Sequence, residues 1–386
     1  SEHDQRVSFL GDTHPAFHGS VVKAIASGMR TYPHIVAILN QRLPANSSAD
    51  YPVFRAKMQD LLTAHVVKIQ RYSPTVIEMQ VRAPMAAKKF RPGHFFRVQN
   101  FETLATVVGE SRLQTEATAM LGAKADPVSG HISLMVLERG VSLRLYATFR
   151  PGEPIALMGP TGVNTKIPAG GETVMIVGGR LSTASIRSIG PAMRAAGNRV
   201  LYIAGFQTAD EAYCQEELEA AADVIVWVTE RGAPIPARRP QDHSATGDFF
   251  EILQRYATGQ LPNAIPLQEV TRVLIIGSNR LVHKMQEARH GVLRDYFTQS
   301  PEFIASIYSS MQCMLKGICA QCLQWQIDPV TKQRTKAVFA CSWQDQPLDI
   351  LDIANVDERL SQNRLQESLT NLWLDYLFAH HTIEKV

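Results

Sequence analysis

ETVMIVGGRLSTASIRSIGPAMRAAGNRVLYIAGF, residues 172–206, decides the fold. ETVMIVGG (172–179) is an apolar run of strand length closed by two glycines. SIRSIGPAMRAAG (185–197) reads as a helix with Gly197 just past its end, and NRVLYIAGF (198–206) as a second strand. The alternation continues downstream. ADEAYCQEELEAA (209–221) reads as a helix, DVIVWVTE (223–230) as a strand, and GDFFEILQRYATG (247–259) as a helix. TRVLIIGS (271–278) follows as a strand and NRLVHKMQEARHG (279–291) as a helix. Strands separated by single helices at this spacing form a parallel, doubly wound α/β sheet, which binds ligands beyond the carboxyl ends of its strands. Its expected extent is residues 166–299. The loop GAPIPARRPQDHSATG (232–247) carries Arg238 and Arg239, read as a solvated loop or as an anion or protein contact.

Upstream the pattern changes. LLTAHVVKIQRYS (61–73), TVIEMQVRAP (75–84), HFFRVQNFE (94–102) and HISLMVLERG (131–140) are partly alternating, β-rich runs between Pro and Gly turns. KFRPGHFF and FRPGEPIALMGPTG each place a Pro-Gly turn before a strand. This is the pattern of a small antiparallel β barrel, expected over 60–165. Residues 1–59 read as an extension or docking arm. A helix there starts near Ser20 and ends at Gly28, a second covers YPHIVAILNQRL, and PANSSADYP is a linker. His14 and His18 read as turn histidines, because Pro15 and Gly19 interrupt any helix that would align them.

Downstream of the sheet lies a third feature. Cys313, Cys319, Cys322 and Cys341 have the spacing C-x5-C-x2-C-x18-C and are four of the chain's five cysteines. Structural zinc favours paired C-x2-4-C, of which there is one here. Plant-type 2Fe-2S ligation uses C-x4-C-x2-C with a distant fourth cysteine, so the run matches it with one inserted residue. Gly317, Ile318 and Ala320 would let backbone N–H groups approach the cluster sulfurs. The 2Fe-2S reading is preferred, with zinc as the alternative, over a segment at 300–347. Cys214 reads as an unligated thiol in its helix. From 348 to 386 an amphipathic helix is expected, with Leu360, Leu365, Leu369, Leu372, Trp373 and Leu377 on its packing face.

Composition narrows the function. Hydrophobic residues make up 45% of 386 and charged ones 19%, a globular balance. A net charge of +3 does not point to nucleic acid or an anionic membrane as partner. No apolar run reaches the length of a membrane span, and SEHDQRVSFLGD has neither the basic nor the apolar region of a signal peptide, so a cytoplasmic location is expected. No triad or paired-carboxylate motif is present, so no catalytic side chain is assigned.

Barrel, then half a doubly wound domain, then a C-x-x-C segment is an order that resembles the ferredoxin-NADP reductase superfamily, most of all the iron–sulfur electron-transfer subunit of dihydroorotate dehydrogenase. The resemblance covers about residues 60–347. It implies FAD on the barrel, NAD(P)H on the α/β domain, and electrons passing through the 2Fe-2S cluster to or from a partner flavoprotein. KFRPGHFFRVQ is similar to the family's PGQF strand. Arg112-Leu-Gln-Thr115 is similar to its flavin motif, implying that Arg112 neutralises the FAD pyrophosphate and Thr115 bonds the flavin edge. ERGVSLRLYATFRPGEPIALMGPTG is similar to its phosphate loop, implying Gly140 and Ser142 as phosphate donors. Gly178, Gly179 and Arg180 stand where the family has GGxGxxP, without the third glycine or the proline. Gly277 stands in the place of CGPxxM, without the cysteine and proline. A relay that has lost NAD(P)H binding, and a zinc-stabilised interaction module, are the alternatives. GDTHPAFHGSVVKAIAS also looks like a connector in fused flavoproteins related to glutamate synthase, which implies a larger redox assembly.

Overall fold

The structure is a computed structural model that describes residues 7–42, 50–180, 182–306 and 322–386. The chain divides into two compact units, residues 1–59 and 60–386. In the first, helix α1 (Val21–Arg42) packs a short turn, Gly11–Thr13, against itself, and the Gly11 N–H donates to Ser27 Oγ at 2.7 Å. Gly28 does not end this helix, as the sequence reading expected, and Pro33 lies inside it. A mid-helix glycine costs about 1 kcal/mol against alanine, too little to stop a helix with good formers on both sides. Helix α2 (Asp50–Leu62) was not anticipated and leads into the second unit. His14 sits in a turn, its Nδ1 accepting from the N–H groups of Ala16 and Phe17.

The barrel uses β1 (Ala64–Ser73), β2 (Val76–Arg82), helix α3 (Pro84–Lys89) and β3 (Phe95–Asn100). A two-residue hairpin follows, β4 (Val107–Val108) and β5 (Ser111–Arg112). Then come β6 (Thr118–Asp126), β7 (His131–Leu137), the short helix α4 (Val141–Leu145) and β8 (Pro154–Thr161). The six long strands close in the order β1-β2-β7-β6-β3-β8, every pair antiparallel. The alternation read in the sequence is the barrel's in–out period: Ile77, Met79, Val81, Phe96, Val98, Ile132 and Leu134 fill the interior.

The α/β lobe has β9 (Thr173–Gly179), α5 (Ser182–Ala195), β10 (Arg199–Phe206), α6 (Gln215–Ala221), β11 (Val224–Thr229), β12 (His243–Thr246), α7 (Phe249–Ala257), β13 (Arg272–Ile276), α8 (Asn279–His290) and β14 (Glu302–Ser306). Its sheet runs β12-β11-β10-β9-β13-β14 in parallel. The strand order reverses between β9 and β13, the switch point at which such sheets open a ligand crevice. After β14 the chain makes the hairpin β15 (Leu323–Ile327) and β16 (Arg334–Phe339). It returns as β17 (Asp345–Pro347), antiparallel on β14. Two helices finish it, α9 (Ile353–Ser361) and α10 (Arg364–His380), where a single helix was expected. Of the expected packing face only Leu377 is buried, together with Leu374, which the reading missed.

Other expectations need correction. β12 lies inside the stretch read as loop, and Arg238 and Arg239 are structural: Arg238 pairs with Glu219, while Arg239 pairs with buried Asp242 and donates to the carbonyls of Glu219 and Ala222. Cys214 is not helical. It caps α6 in the left-handed region at φ 56°.

Helix α5 lies across β6, and its Arg187 reaches the barrel. The side chain of Arg187 is 3% exposed and pairs with Glu78 of β2 at 3.4 Å and with Glu217 at 2.7 Å. Burial pushes the Glu78 pKa up, but the Arg187 charge and bonds from Ser133, Tyr72 and Arg187 outweigh it and leave the pKa below the ordinary glutamate value. A carboxylate depressed in this way contributes stability above its unfolded pKa of about 4.3 and loses it as pH falls through the folded value. Glu78→Gln should therefore unfold in less urea than the parent at pH 7, with the gap closing as pH is taken below about 4. Urea titrations at both ends of that range check it.

Candidate functional site

A cleft of about 750 Å³ opens between the barrel and the carboxyl ends of β9, β10 and β13. Its floor is apolar, formed by Val76, Phe95, Leu121 and Met135 from the outer barrel face and Ala184 from α5. The opposite wall carries Gly178, Gly179, Gly277 and the aromatic Phe249 and Phe250, with Lys284 at the rim.

Gly179 is required by the sheet itself. A Cβ there would stand 2.1 Å from the Gly205 carbonyl oxygen. The hydroxyl of Ser182, at the start of α5, donates to the Gly179 carbonyl at 2.7 Å and pairs with the Tyr202 hydroxyl at 2.8 Å. Ser182 thus knits the loop to the sheet. Arg180 projects to the cleft wall and pairs with Glu211 at 2.6 Å. Burial and then the Arg180 charge press the Arg139 pKa below the usual guanidinium value, against a smaller opposing pull from Glu211. Two guanidiniums and one carboxylate leave this corner of the cleft short of negative charge, a place where an anionic ligand gains. Sequence reading found Arg180 but not Arg139, which precedes Gly140 and carries no motif of its own.

The two stretches assigned to flavin phosphate do meet. Ser142 Oγ accepts from the Glu116 N–H at 2.9 Å, joining the turn after β7 to the segment after β5. Gly140 has φ 85°, a conformation that favours glycine. Tyr146, fully buried beyond α4, fixes the turn from inside by donating to the Val98 carbonyl at 2.6 Å. Two assignments take other partners. Thr115 is 1% exposed, accepts from the Asn100 N–H and bonds Asn100 Oδ1. Arg112 is exposed and donates to the Glu102 carbonyl at 2.8 Å.

The apolar cleft floor fits a flat flavin ring. The phosphate end does not fit as the chain stands, because Glu367 of α10 already lies on the turn: its Oε1 accepts from the Val141 N–H at 3.1 Å.

Of the four cysteines, Cys313 and Cys319 lie outside the described residues. Cys322 and Cys341 are buried in one cluster with Phe95, Leu121, Met135 and Ala184, the residues of the cleft floor. Among the described residues no group of three or more His, Cys, Asp or Glu side chains is placed to hold a metal. Nor is any described helix long and apolar enough to cross a membrane.

The closed six-stranded barrel followed by a doubly wound sheet, with the cleft between them, is a fold this chain shares with a solved oxidoreductase. Over 80% of this chain and 97% of the other, the structure is similar to the NADH-dependent reduced ferredoxin-NADP oxidoreductase described for flavin-based electron bifurcation, with a TM-score of 0.62 at 17% identity. In sequence the chain is 21% identical over 270 residues to the electron transfer subunit of dihydroorotate dehydrogenase B (NAD(+)) from Enterococcus faecalis, covering 69% of this chain and 88% of that protein. It is 29% identical over 369 residues, 95% of its length, to the uncharacterized protein RP006 of Rickettsia prowazekii, and spans only 41% of that protein. No family model matches.

Replacing Gly179 by alanine should separate β9 from β10 and lower stability by about 1–3 kcal/mol. Gly277→Ala, whose new methyl meets only the flexible end of Leu281, should cost less. Denaturant midpoints of the two variants measure the difference.

Proposed function

We propose that this chain is an electron-transfer flavoprotein module. It moves electrons between NAD(P)H, FAD and a 2Fe-2S cluster, and on to or from a partner flavoprotein in a larger redox complex. The observation that carries the reading is the shared apolar cluster. Cys322 and Cys341 pack in the same cluster as the cleft floor, so a redox centre on these thiols would adjoin the cleft. The fold, and the dihydroorotate dehydrogenase subunits among its relatives, support the same reading.

In this reading Cys313, Cys319, Cys322 and Cys341 are the cluster ligands. The barrel floor receives the flavin ring and excludes water from it. Gly140, Ser142, Arg112 and Thr115 belong to the flavin's binding segment. Gly178, Gly179 and Gly277 line the wall against which nicotinamide nucleotide lies, and Arg139 and Arg180 attract its phosphates. Bound flavin supplies the exchange between a two-electron hydride donor and one-electron acceptors. The larger assembly, whether of the glutamate-synthase-like kind suggested by GDTHPAFHGSVVKAIAS or another, is supported by the much greater length of the Rickettsia relative.

One observation favours a second reading. Arg180 is engaged by Glu211, and its loop lacks the third glycine, as expected of a relay that no longer takes NAD(P)H.

An anaerobic visible spectrum of the purified protein, before and after NADH or NADPH, should show flavin and 2Fe-2S bands that bleach. Bleaching by neither nucleotide selects the relay. Zinc without iron or acid-labile sulfide sinks the cluster. Cys322→Ser and Cys341→Ser should each lower the iron content while leaving the far-UV circular dichroism unchanged.

A further inference from the structure

Helix α10 grips the barrel beside the segment assigned to flavin phosphate. Leu374 and Leu377 pack with Val108 of β4, Leu113 just after β5, and Leu145 of α4. Arg144 of α4 donates to Asn371 Oδ1 at 3.0 Å and also pairs with Asp375. Trp373 Nε1 donates to Ser111 Oγ at 3.3 Å, one residue before Arg112. At the head of the helix, Glu367 hydrogen-bonds the Val141 N–H. A Cβ on Gly140 would stand 2.2 Å from Glu367 Oε1, so the missing side chain is what lets the carboxylate in. One helix therefore touches both motifs assigned to the pyrophosphate, and it brings an anion to the donor that a phosphate would use.

The grip is also light. Only Leu374 and Leu377 of α10 are buried, while Leu365, Leu369, Leu372 and Tyr376 are 74%, 59%, 65% and 48% exposed. A helix held by two buried leucines, the partly buried Phe378 under the Arg144 guanidinium, and partly exposed polar contacts separates at smaller cost than a core helix.

We propose that α10 is a displaceable plug: the Glu367 carboxylate occupies the Gly140–Val141 turn in place of the cofactor's phosphate, so docking of α10 and binding of FAD exclude each other there. This rests on the reading that the turn holds FAD phosphate. Two anions cannot share one N–H donor, and the Val141 N–H is already given to Glu367. FAD then binds only the fraction of molecules in which α10 is released, and its apparent affinity is reduced by that fraction. Any partner that draws α10 off the barrel would load the flavin site, and loss of flavin would return the helix.

The full-length protein tests this with Glu367→Gln, which removes the charge, Glu367→Ala, which removes the acceptor, and Glu367→Ala with Leu374→Asp, which also removes an anchor. Circular dichroism checks that each is folded. FAD is titrated by quenching of flavin fluorescence, and amide exchange of residues 364–380 is followed with and without FAD. The expected result is tighter FAD binding in the variants, about tenfold or more where docking dominates, with faster exchange across α10 in the parent once FAD is added. Equal FAD affinity in all four proteins with unchanged exchange overturns the plug and leaves the flavin reading standing. No FAD binding by any of them, the doubly released variant included, overturns the flavin reading and the plug with it.

Discussion

The outer face of a small barrel is as apolar as its interior wherever another element must sit on it, and here that patch is Val76, Phe95, Leu121 and Met135. Much of the second unit depends on how the patch is covered. Helix α5 lies across part of it and locks down through Arg187, whose buried charge is tolerable only because Glu78 and Glu217 meet it. The hairpin bearing Cys322 and Cys341 covers another part. The remainder is left open as the cleft floor. Covering the patch fully would make a stable but inert pair of lobes. Leaving it partly open is what gives a flat aromatic ligand a surface to lie on.

The α/β lobe was legible because its strands are unbroken apolar runs and its helices have clear ends. Asp248 and Ser278 cap α7 and α8, and Gly197 follows α5. The barrel was legible except for β6. That strand, TAMLGAKAD, has three alanines and a glycine and carries little β propensity of its own. Small residues are needed there because the ring of Phe90 lies against Gly122. Tertiary fit, which no local pattern announces, overrode propensity. The same holds for the last helices. Their leucines have helical spacing, but spacing does not say which face finds a partner, and Leu374 and Leu377 rather than Leu365 or Leu369 are the ones that do.

Site residues were legible in proportion to how local their chemistry is. Ser142, beside the turn at Gly140, joins the segment after Arg112 through the bond from the Glu116 N–H to its Oγ. Thr115 satisfies itself on Asn100, fifteen residues away, a pairing that sequence proximity does not reveal. Arg139 and Glu367 were invisible for the same reason. One acts through its nearness to Arg180, the other through a contact 226 residues distant from its partner.

The strand β17 returns to β14 so that Ser306 and Asp345 are register partners, their side chains bonded to each other. The described part of β14 ends at Ser306, and β17 begins on the same rung. The described residues between these two strands, the hairpin β15–β16 among them, form an insertion within a sheet whose edge strand is β17. Such an insertion can be lengthened, shortened or exchanged without re-threading any strand, and the entropy of closing it grows only with the logarithm of its length. This gives the scaffold an architectural joint at which one inserted segment could be swapped for another over evolutionary time while the barrel and the parallel sheet stayed as they are.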